Sequence, residues 1–252
     1  KFQVDVYRIG YYKNTGARLI RTVASPKSIT VDSAMIPGQY LLKLRALNRA
    51  SSFVPLVVTG SGANDLTFVS SILTWQSYNQ WGGYSLYKGP DGKRETRASE
   101  VSFARPYDGD GSGQFRYMEY PAIKAAEKLG LSINYATDFD LDQNPDLTKL
   151  TKALVFGGHS EYWTTSMRDA VEAAVDRGIN LIVLGGNTAY NRIDINNETI
   201  SGAAPWRKLD RPEVTLLGSQ FLALGFHRDM VIETNLWPFD VLEANTVING
   251  AS

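Results

Sequence analysis

Three side chains capable of chemistry, those of His159, Ser160 and Glu161, follow directly on a short apolar run of the sequence. The run, residues 154–156, has the composition of a strand that is covered on both faces, and two glycines after it permit a tight turn. A helix is predicted to begin close behind, near Thr164. Because ligands bind at the carboxyl ends of the strands in an open α/β sheet, this stretch predicts a functional site at such an edge.

A second predicted strand repeats this arrangement. Residues 180–184 are apolar after the first position, two glycines follow, and Asn187 comes next. A right-handed crossover through the intervening helix would make the two strands parallel neighbours. We therefore expect Asn187 to lie beside His159 and Glu161.

A serine nucleophile is one chemical interpretation of the first stretch. Ser160 is central in a strand-to-helix turn, as in the nucleophile elbow of hydrolases, but Tyr162 stands where that motif requires a small residue. The only histidine besides His159 is His227, which would have to serve as the base. These features disfavour a serine triad.

A metal site is the second interpretation. The chain has no cysteine and two histidines, which excludes thiolate zinc sites and a three-histidine site, although His159 and His227 could converge with a carboxylate. The other alternative is a hard oxygen site made of Glu161 and tyrosines, which suits Fe(III) better than zinc because phenolate is a hard anionic ligand. The spacing of the sequence does not by itself choose the tyrosines.

The composition of the 252-residue chain is that of an ordinary globular protein, with 43% hydrophobic and 21% charged residues. Lys and Arg total 26 against 26 Asp and Glu, so nothing points to nucleic acid or an anionic membrane as a partner, and a small or polymeric polar substrate fits better. No apolar run approaches the roughly 20 residues that span a bilayer. The chain starts at Lys1 in strand-like alternation, so we expect a piece of a longer protein, with secretion left open as its localisation.

Two domains are predicted. Residues 1–58 alternate short strands with turns at intervals of roughly 8 to 12 residues, which is typical of an immunoglobulin-like β-sandwich, here an incomplete one. The small, flexible segment TGSGAND starts at Thr59 and marks the boundary. Residues 59–252 then alternate strands and helices, which predicts an α/β domain with a doubly wound, mostly parallel sheet. Residues 138–146 are expected to form a solvated acidic loop, and residues 214–217 and 230–233 to form strands.

The segment DGDGSGQFRYME, residues 108–119, has the spacing of a calcium-binding loop. Asp108, Asp110 and Ser112 take its first, third and fifth places, a glycine the sixth, and Glu119 the twelfth. Arg116 at the ninth place and the absence of an incoming helix favour a simple glycine-rich connection instead.

Several longer motifs resemble the large-subunit family of N,N-dimethylformamidase over nearly the whole chain. They are YRIGYY with GAR at residues 7–18, TWQSYNQWGGYSLY at 74–87, VSFARPY, YATDFDL, GHSEYW and GGNTAYNR. The resemblance implies an immunoglobulin-like domain followed by a class I glutamine-amidotransferase-like α/β domain. It also implies a mononuclear iron held by two tyrosines and one glutamate.

The resemblance places these ligands at particular residues. The glutamate is Glu161 of GHSEYW, the first tyrosine is Tyr78 of TWQSYN, and the second is Tyr87 of SLY, while His159 and Asn187 match polar residues next to the iron. TWQSYNQWGG departs from the amidase itself and is the pattern of a large branch of the family, and the family continues beyond residue 252.

These features predict a metal-assisted hydrolase of an amide or related carbon–nitrogen bond. Iron would polarise the carbonyl, His159 would shuttle a proton and Asn187 would stabilise the developing oxyanion. The alternative is a binding or scaffold domain of a larger protein that keeps the fold without turnover. Further domains of the same chain or identical subunits are the expected protein partners.

Overall fold

The computed structural model describes residues 1–13, 15–48, 50–220, 230–231 and 247–248. The chain divides into two compact units, Lys1–Gln220 and Phe221–Ser252. In the second unit the described residues form an antiparallel pair of short strands, Met230–Val231 with Val247–Ile248, which overlaps the strand predicted at residues 230–233.

The described residues of the first unit form three sheets and five α-helices. Its strands are β1 (Phe2–Tyr12), β2 (Thr15–Ala24), β3 (Gly38–Ala46), β4 (Ser51–Val58), β5 (Asn64–Ser70), β6 (Glu100–Ser102), β7 (Ile133–Thr137), β8 (Thr151–Phe156), β9 (Tyr162–Trp163), β10 (Asn180–Val183), β11 (Asn191–Asn196) and β12 (Thr199–Pro205). Its helices are α1 (Ile72–Tyr78), α2 (Tyr120–Lys128), α3 (Asp138–Gln143), α4 (Thr165–Asp176) and α5 (Val214–Leu217). A π-helical turn, Phe115–Glu119, runs directly into α2, and 3-10 turns occupy Trp81–Gly83, Pro145–Lys149 and Trp206–Leu209.

The amino-terminal region is an antiparallel sheet in the order β2-β1-β3-β4. Alternation along β1 sends Val6 to one face, where it packs with Met35, and Ile9 to the other, where it packs with Phe68 and Ile123. The strands predicted in this region are confirmed, and they pair in antiparallel fashion. Within the described part of residues 1–58 they form a single sheet, so the immunoglobulin-like sandwich stays a prediction.

The second sheet is wholly parallel, in the order β10-β8-β5-β7. The predicted pairing of the two glycine-terminated strands is confirmed, with Leu154 of β8 opposite Leu181 of β10. The chain runs from β5 outward to β7, then crosses back past β5 to β8 and outward to β10. The strand order therefore reverses between β5 and β8, which is the position at which open α/β sheets bind ligands.

A third, mixed sheet in the order β6-β12-β11-β9 lies beyond the carboxyl end of β8. The two-residue strand β9 pairs in parallel with the start of β11, which places Tyr162 opposite Asn191. This pairing connects the segment after β8 with a strand some thirty residues later in the chain.

The helix predicted to begin near Thr164 is confirmed as α4. Thr164 caps the helix by accepting a hydrogen bond from Met167 N at 3.1 Å.

Two predictions of secondary structure were wrong. Residues 138–146 form α3 and the start of a 3-10 turn rather than a loop, because Thr137 and Asp140 make a reciprocal capping box. Residues 214–217 form α5 rather than a strand; the helix ends at Gly218, whose φ is +68°.

Candidate functional site

Three side chains meet on the buried carboxylate of Glu161, which is 4% exposed. Tyr78 Oη donates a hydrogen bond to Oε2, and His159 Nε2 lies 3.0 Å from the same oxygen. Asn191 Nδ2 donates to the other oxygen, Oε1, at 2.7 Å. His159 Nε2 is also 3.3 Å from Tyr78 Oη, so the phenol, the imidazole and the carboxylate contact one another.

The backbone around Glu161 is fixed from two sides. On one side Thr74 Oγ1, in α1, accepts hydrogen bonds from the backbone N–H groups of Glu161 at 2.9 Å and Tyr162 at 3.2 Å. On the other side Asn191 N donates to Glu161 O at 2.9 Å. Because α1 also carries Tyr78, a single helix positions both the phenol and the backbone of the carboxylate that it contacts.

The glycines after β8 and β10 allow the two strand ends to touch. A Cβ atom at Gly185 would lie 2.2 Å from Gly158 O, and one at Gly158 would lie 2.6 Å from Met118 Cβ. Side chains at either position would force the segments apart. The loop after β10 therefore lies against the segment that carries His159 and Glu161.

Tyr78 is enclosed by aromatic rings. Its ring centroid is 4.9 Å from that of Tyr87, 5.4 Å from that of His159 and 5.8 Å from that of Tyr162. Burial, followed by the negative charge of Glu161, raises the pKa of the Tyr78 phenol far above its usual value. Burial likewise raises the pKa of Tyr162. Tyr78 therefore stays protonated and donates to the carboxylate unless a cation displaces its proton.

The structure brings together Tyr78, His159 and Glu161 of the residues predicted from sequence, with Tyr87 against the ring of Tyr78. Asn187 is half-buried with φ +57°, and its side chain makes no hydrogen bond within the described part of the chain. The amide that contacts Glu161 is that of Asn191. Sequence reasoning missed Asn191, although it stands in the GGNTAYNR motif, at the point where the pattern changes to polar strands.

Ser160 does not occupy the position of a nucleophile. It is fully buried, and its Oγ accepts a hydrogen bond from the indole Nε1 of Trp163 at 2.9 Å. The imidazole of His159 instead contacts Tyr78 and Glu161, and His227 lies outside the described residues. The geometry thus agrees with the expectation that a serine triad is disfavoured.

Residues 24–252 match the family model described as N,N-dimethylformamidase beta subunit-like, C-terminal. The chain belongs to this family. The match confirms the resemblance drawn from the sequence motifs and includes every residue of the cluster around Glu161. Among curated proteins, none matches the chain in sequence. None of the helices in the described part of the chain could span a lipid bilayer.

The donor chemistry of this dimethylformamidase-like cluster fits the iron that the resemblance implies. Tyr78 Oη and Glu161 Oε2 are hard oxygen donors in direct contact, and a cation could take the place of the proton between them. Among the described residues, no group of three or more His, Cys, Asp or Glu side chains is placed to hold a metal ion.

The residues at the predicted calcium-binding positions have protein partners in the structure. Asp110 accepts hydrogen bonds from Ser112 and pairs with Arg116 at 2.9 Å, whereas Asp108 Oδ2 accepts from the backbone of Gln80. Glu119 is fully buried, and its Oε1 accepts a hydrogen bond from Ser71 N at 2.9 Å. The calcium site stays a prediction that rests on spacing alone.

Proposed function

We propose that this chain contributes the iron-binding catalytic site of an amide hydrolase, with Glu161, Tyr78 and Tyr87 as ligands. The observation that carries the proposal is the convergence of Tyr78, His159 and Asn191 on one buried carboxylate at the switch point of the parallel sheet. Membership of a family named after an amide hydrolase supports the reaction class.

Iron bound here would act as a Lewis acid that polarises the amide carbonyl and lowers the pKa of a coordinated water. Tyr78 must lose its proton to become a ligand, and His159 Nε2, 3.3 Å from the phenol oxygen, is placed to accept it. The side chain of His159 is 24% exposed, so the imidazole can pass that proton to solvent. The same exposure suits His159 to proton transfer during hydrolysis.

The two asparagines have different roles in this proposal. Asn191 holds Oε1 of Glu161, which fixes the rotation of the carboxylate and leaves Oε2 toward Tyr78 and His159. Asn187, on the loop that lies against Gly158, is the proposed donor to the oxyanion that develops on the substrate.

The fold and assembly of the protein form a second part of the proposal. We infer that the parallel sheet is of the class I glutamine-amidotransferase type, and that the amino-terminal sheet is part of an immunoglobulin-like sandwich. Because the family description names a subunit, we propose that the chain works within a larger assembly, as a homo-oligomer or with further domains. The substrate would be a small polar molecule.

A scaffold without turnover is the alternative function. Both carboxylate oxygens of Glu161 have protein partners in the described structure, as they would in a domain that needs no metal. The two functions differ in what the protein does with iron and with amides.

The deciding experiment loads the full chain with Fe(III) and records its visible spectrum. We expect a tyrosinate-to-iron charge-transfer band that disappears in Tyr78→Phe. Tyr162→Phe is the matched control, because it removes the hydroxyl of a buried tyrosine whose ring contacts Tyr78, 5.8 Å between centroids. The loaded protein is then assayed on small formamides and other amides. A colourless protein that hydrolyses none of these amides would contradict the hydrolase function and support the scaffold function.

A further inference from the structure

A second crevice adjoins the candidate site and shares the ring of Tyr78 as a wall. It has a volume of about 280 Å³ and lies between α1, the segment 107–118 and Pro55 of β4. Met118, whose Cβ faces the backbone of Gly158, also lines it. The volume is close to the lower bound for pockets that bind small molecules.

The walls of this crevice are held in place by backbone hydrogen bonds. The side chain of Asn79, at the end of α1, donates to Pro106 O at 2.9 Å and accepts from Asp108 N at 3.0 Å. On the opposite side Asp110 O accepts from Phe53 N in β4 at 2.7 Å. The segment is thus fastened to α1 and to β4, so the crevice is formed before any ligand enters.

Aromatic rings make up much of the crevice wall. Trp75, Tyr107 and Phe115 line its inner side; Trp75 and Phe115 are only 2% and 1% exposed, and Trp75 is edge-on to Tyr107 at 6.0 Å and to Phe115 at 6.3 Å. Tyr78 and Tyr117 contribute two further rings. Aromatic faces carry negative electrostatic potential and attract cations, alkylated ammonium groups above all.

The charged side chains of the wall are acidic. Asp110 is paired with Arg116, which also lies over the ring of Tyr117, so its charge is compensated. Asp108 accepts a hydrogen bond from Gln80 N with one oxygen and interacts electrostatically with Arg105, but it forms no direct ion pair within the described part of the chain. Among the described residues that line the crevice, none is basic.

We propose that this crevice is a subsite for an alkylammonium group, with Tyr78, Tyr107 and Tyr117 beside its methyl groups and Asp108 balancing its charge. The subsite goes beyond the proposed function, because it follows from the crevice alone and needs neither iron nor hydrolysis. If the chain cleaves amides, the amine released on hydrolysis would carry this charge once it is protonated.

The test is a titration of the metal-free full chain with choline and with its uncharged isostere 3,3-dimethylbutan-1-ol. Binding is followed by NMR on the indole N–H signal of Trp75, which Trp75→Phe identifies among the five tryptophans. We expect choline to bind at least about tenfold more tightly than the alcohol, since the two differ only in charge. Equal affinities, or no saturable shift with choline, would overturn the proposal.

Two variants locate the site. Asp108→Asn keeps an oxygen for Gln80 N and is expected to remove most of the preference for choline; its matched control, Asp91→Asn, alters an exposed loop aspartate that accepts from Lys93 N. Gly113→Leu places a side chain at the crevice wall, where a Cβ meets nothing within 4 Å, and is expected to abolish binding of both ligands. Choline affinity that is unchanged in both variants would exclude this crevice as the binding site.

Discussion

Both carboxylate oxygens of Asp138 lie 3.1 Å from the backbone nitrogen of Leu73. Asp138 is fully buried at the start of α3, and Leu73 is in the first turn of α1, which has no side-chain cap of its own. Asp138 follows β7, the sheet neighbour of β5. Its carboxylate therefore accepts a hydrogen bond from a backbone N–H group at the amino-terminal end of the helix that carries Thr74 and Tyr78.

Removing this acceptor should destabilise the protein. We expect Asp138→Leu to lower the free energy of unfolding by about 1–3 kcal/mol, because Leu73 N is left buried without a partner. Burial raises the pKa of Asp138 well above its usual value, so an amide resembles its neutral form, and Asp138→Asn should lose less than Asp138→Leu. Urea unfolding of both variants measures the difference, and equal losses would contradict this role.

Glu119 should make stability depend on pH. Burial is the main cause that raises the pKa of Glu119 to about 8 from its usual 4.5, against the opposing hydrogen bond from Ser71 N. Between these values the folded protein keeps a proton that the unfolded chain has lost. The stability that this proton contributes is complete below pH 4.5 and is lost as pH rises toward 8. Over this interval the free energy of unfolding falls by about 1.4 kcal/mol per pH unit.

The Glu119→Gln variant isolates this effect. Glutamine stays neutral, so its free energy of unfolding should fall less steeply with pH than that of the wild type over this interval. Glu95→Gln, at an exposed position, is the control and should leave the slope unchanged. Urea unfolding at several pH values measures the slopes, and parallel curves for wild type and Glu119→Gln would show that Glu119 ionises normally.

The elements that the sequence predicted correctly depend on local signals. The helix after β8 was predicted from its Thr164 cap, and the pairing of β8 with β10 from two buried apolar runs that each end in glycines. Glu161 was expected at the carboxyl edge of the sheet, and Tyr78 follows β5, which is the parallel neighbour of β8. Their assignment as ligands came from the family resemblance.

What the sequence did not predict depends on long-range pairing or on burial. Asn191 reaches Glu161 because β11 pairs with the two-residue β9, a register that no local pattern encodes. Asn187 directly follows the glycines and was therefore the more obvious amide. Glu119 matched the twelfth place of a calcium loop, but the π-helical turn before α2 places it in the interior beside Ser71.

The glycines of the segment 108–113 should differ in their tolerance of a side chain. At Gly111, φ is +84° and a Cβ would lie 2.1 Å from Phe53 O, so Gly111→Ala should cost about 2–4 kcal/mol of unfolding free energy. Gly109 has φ +60° with open space around it, and Gly109→Ala should cost about 1–2 kcal/mol. Gly113→Ala should be neutral within about 0.5 kcal/mol. Urea unfolding tests this order, and any other ranking would contradict the loop geometry.

The two asparagines near the site should respond differently to substitution. Asn191→Leu leaves Glu161 Oε1 without its donor, so it should lower both the free energy of unfolding, by about 1–3 kcal/mol, and the iron content.

Asn187→Gly keeps the positive φ without strain and should leave stability and iron content unchanged. If Asn187 stabilises the oxyanion, the same variant loses about 10²–10³ in kcat on an amide substrate. Retained kcat in Asn187→Gly would transfer that role to another donor.

Tyr87 is the candidate ligand that the structure holds least firmly. Its ring lies 4.9 Å from that of Tyr78, but the residue is 44% exposed, and within the described residues its hydroxyl makes no hydrogen bond. Tyr87→Phe keeps the ring contact and removes the oxygen. If Tyr87 binds iron, this variant should keep the Tyr78 charge-transfer band, with its maximum shifted and its absorbance about halved, because one phenolate remains. Tyr84→Phe, in the same loop and 49% exposed, is the matched control and should leave the spectrum unchanged. A wild-type spectrum in Tyr87→Phe would show that Tyr87 only packs against Tyr78, and would require the third ligand to come from another part of the chain.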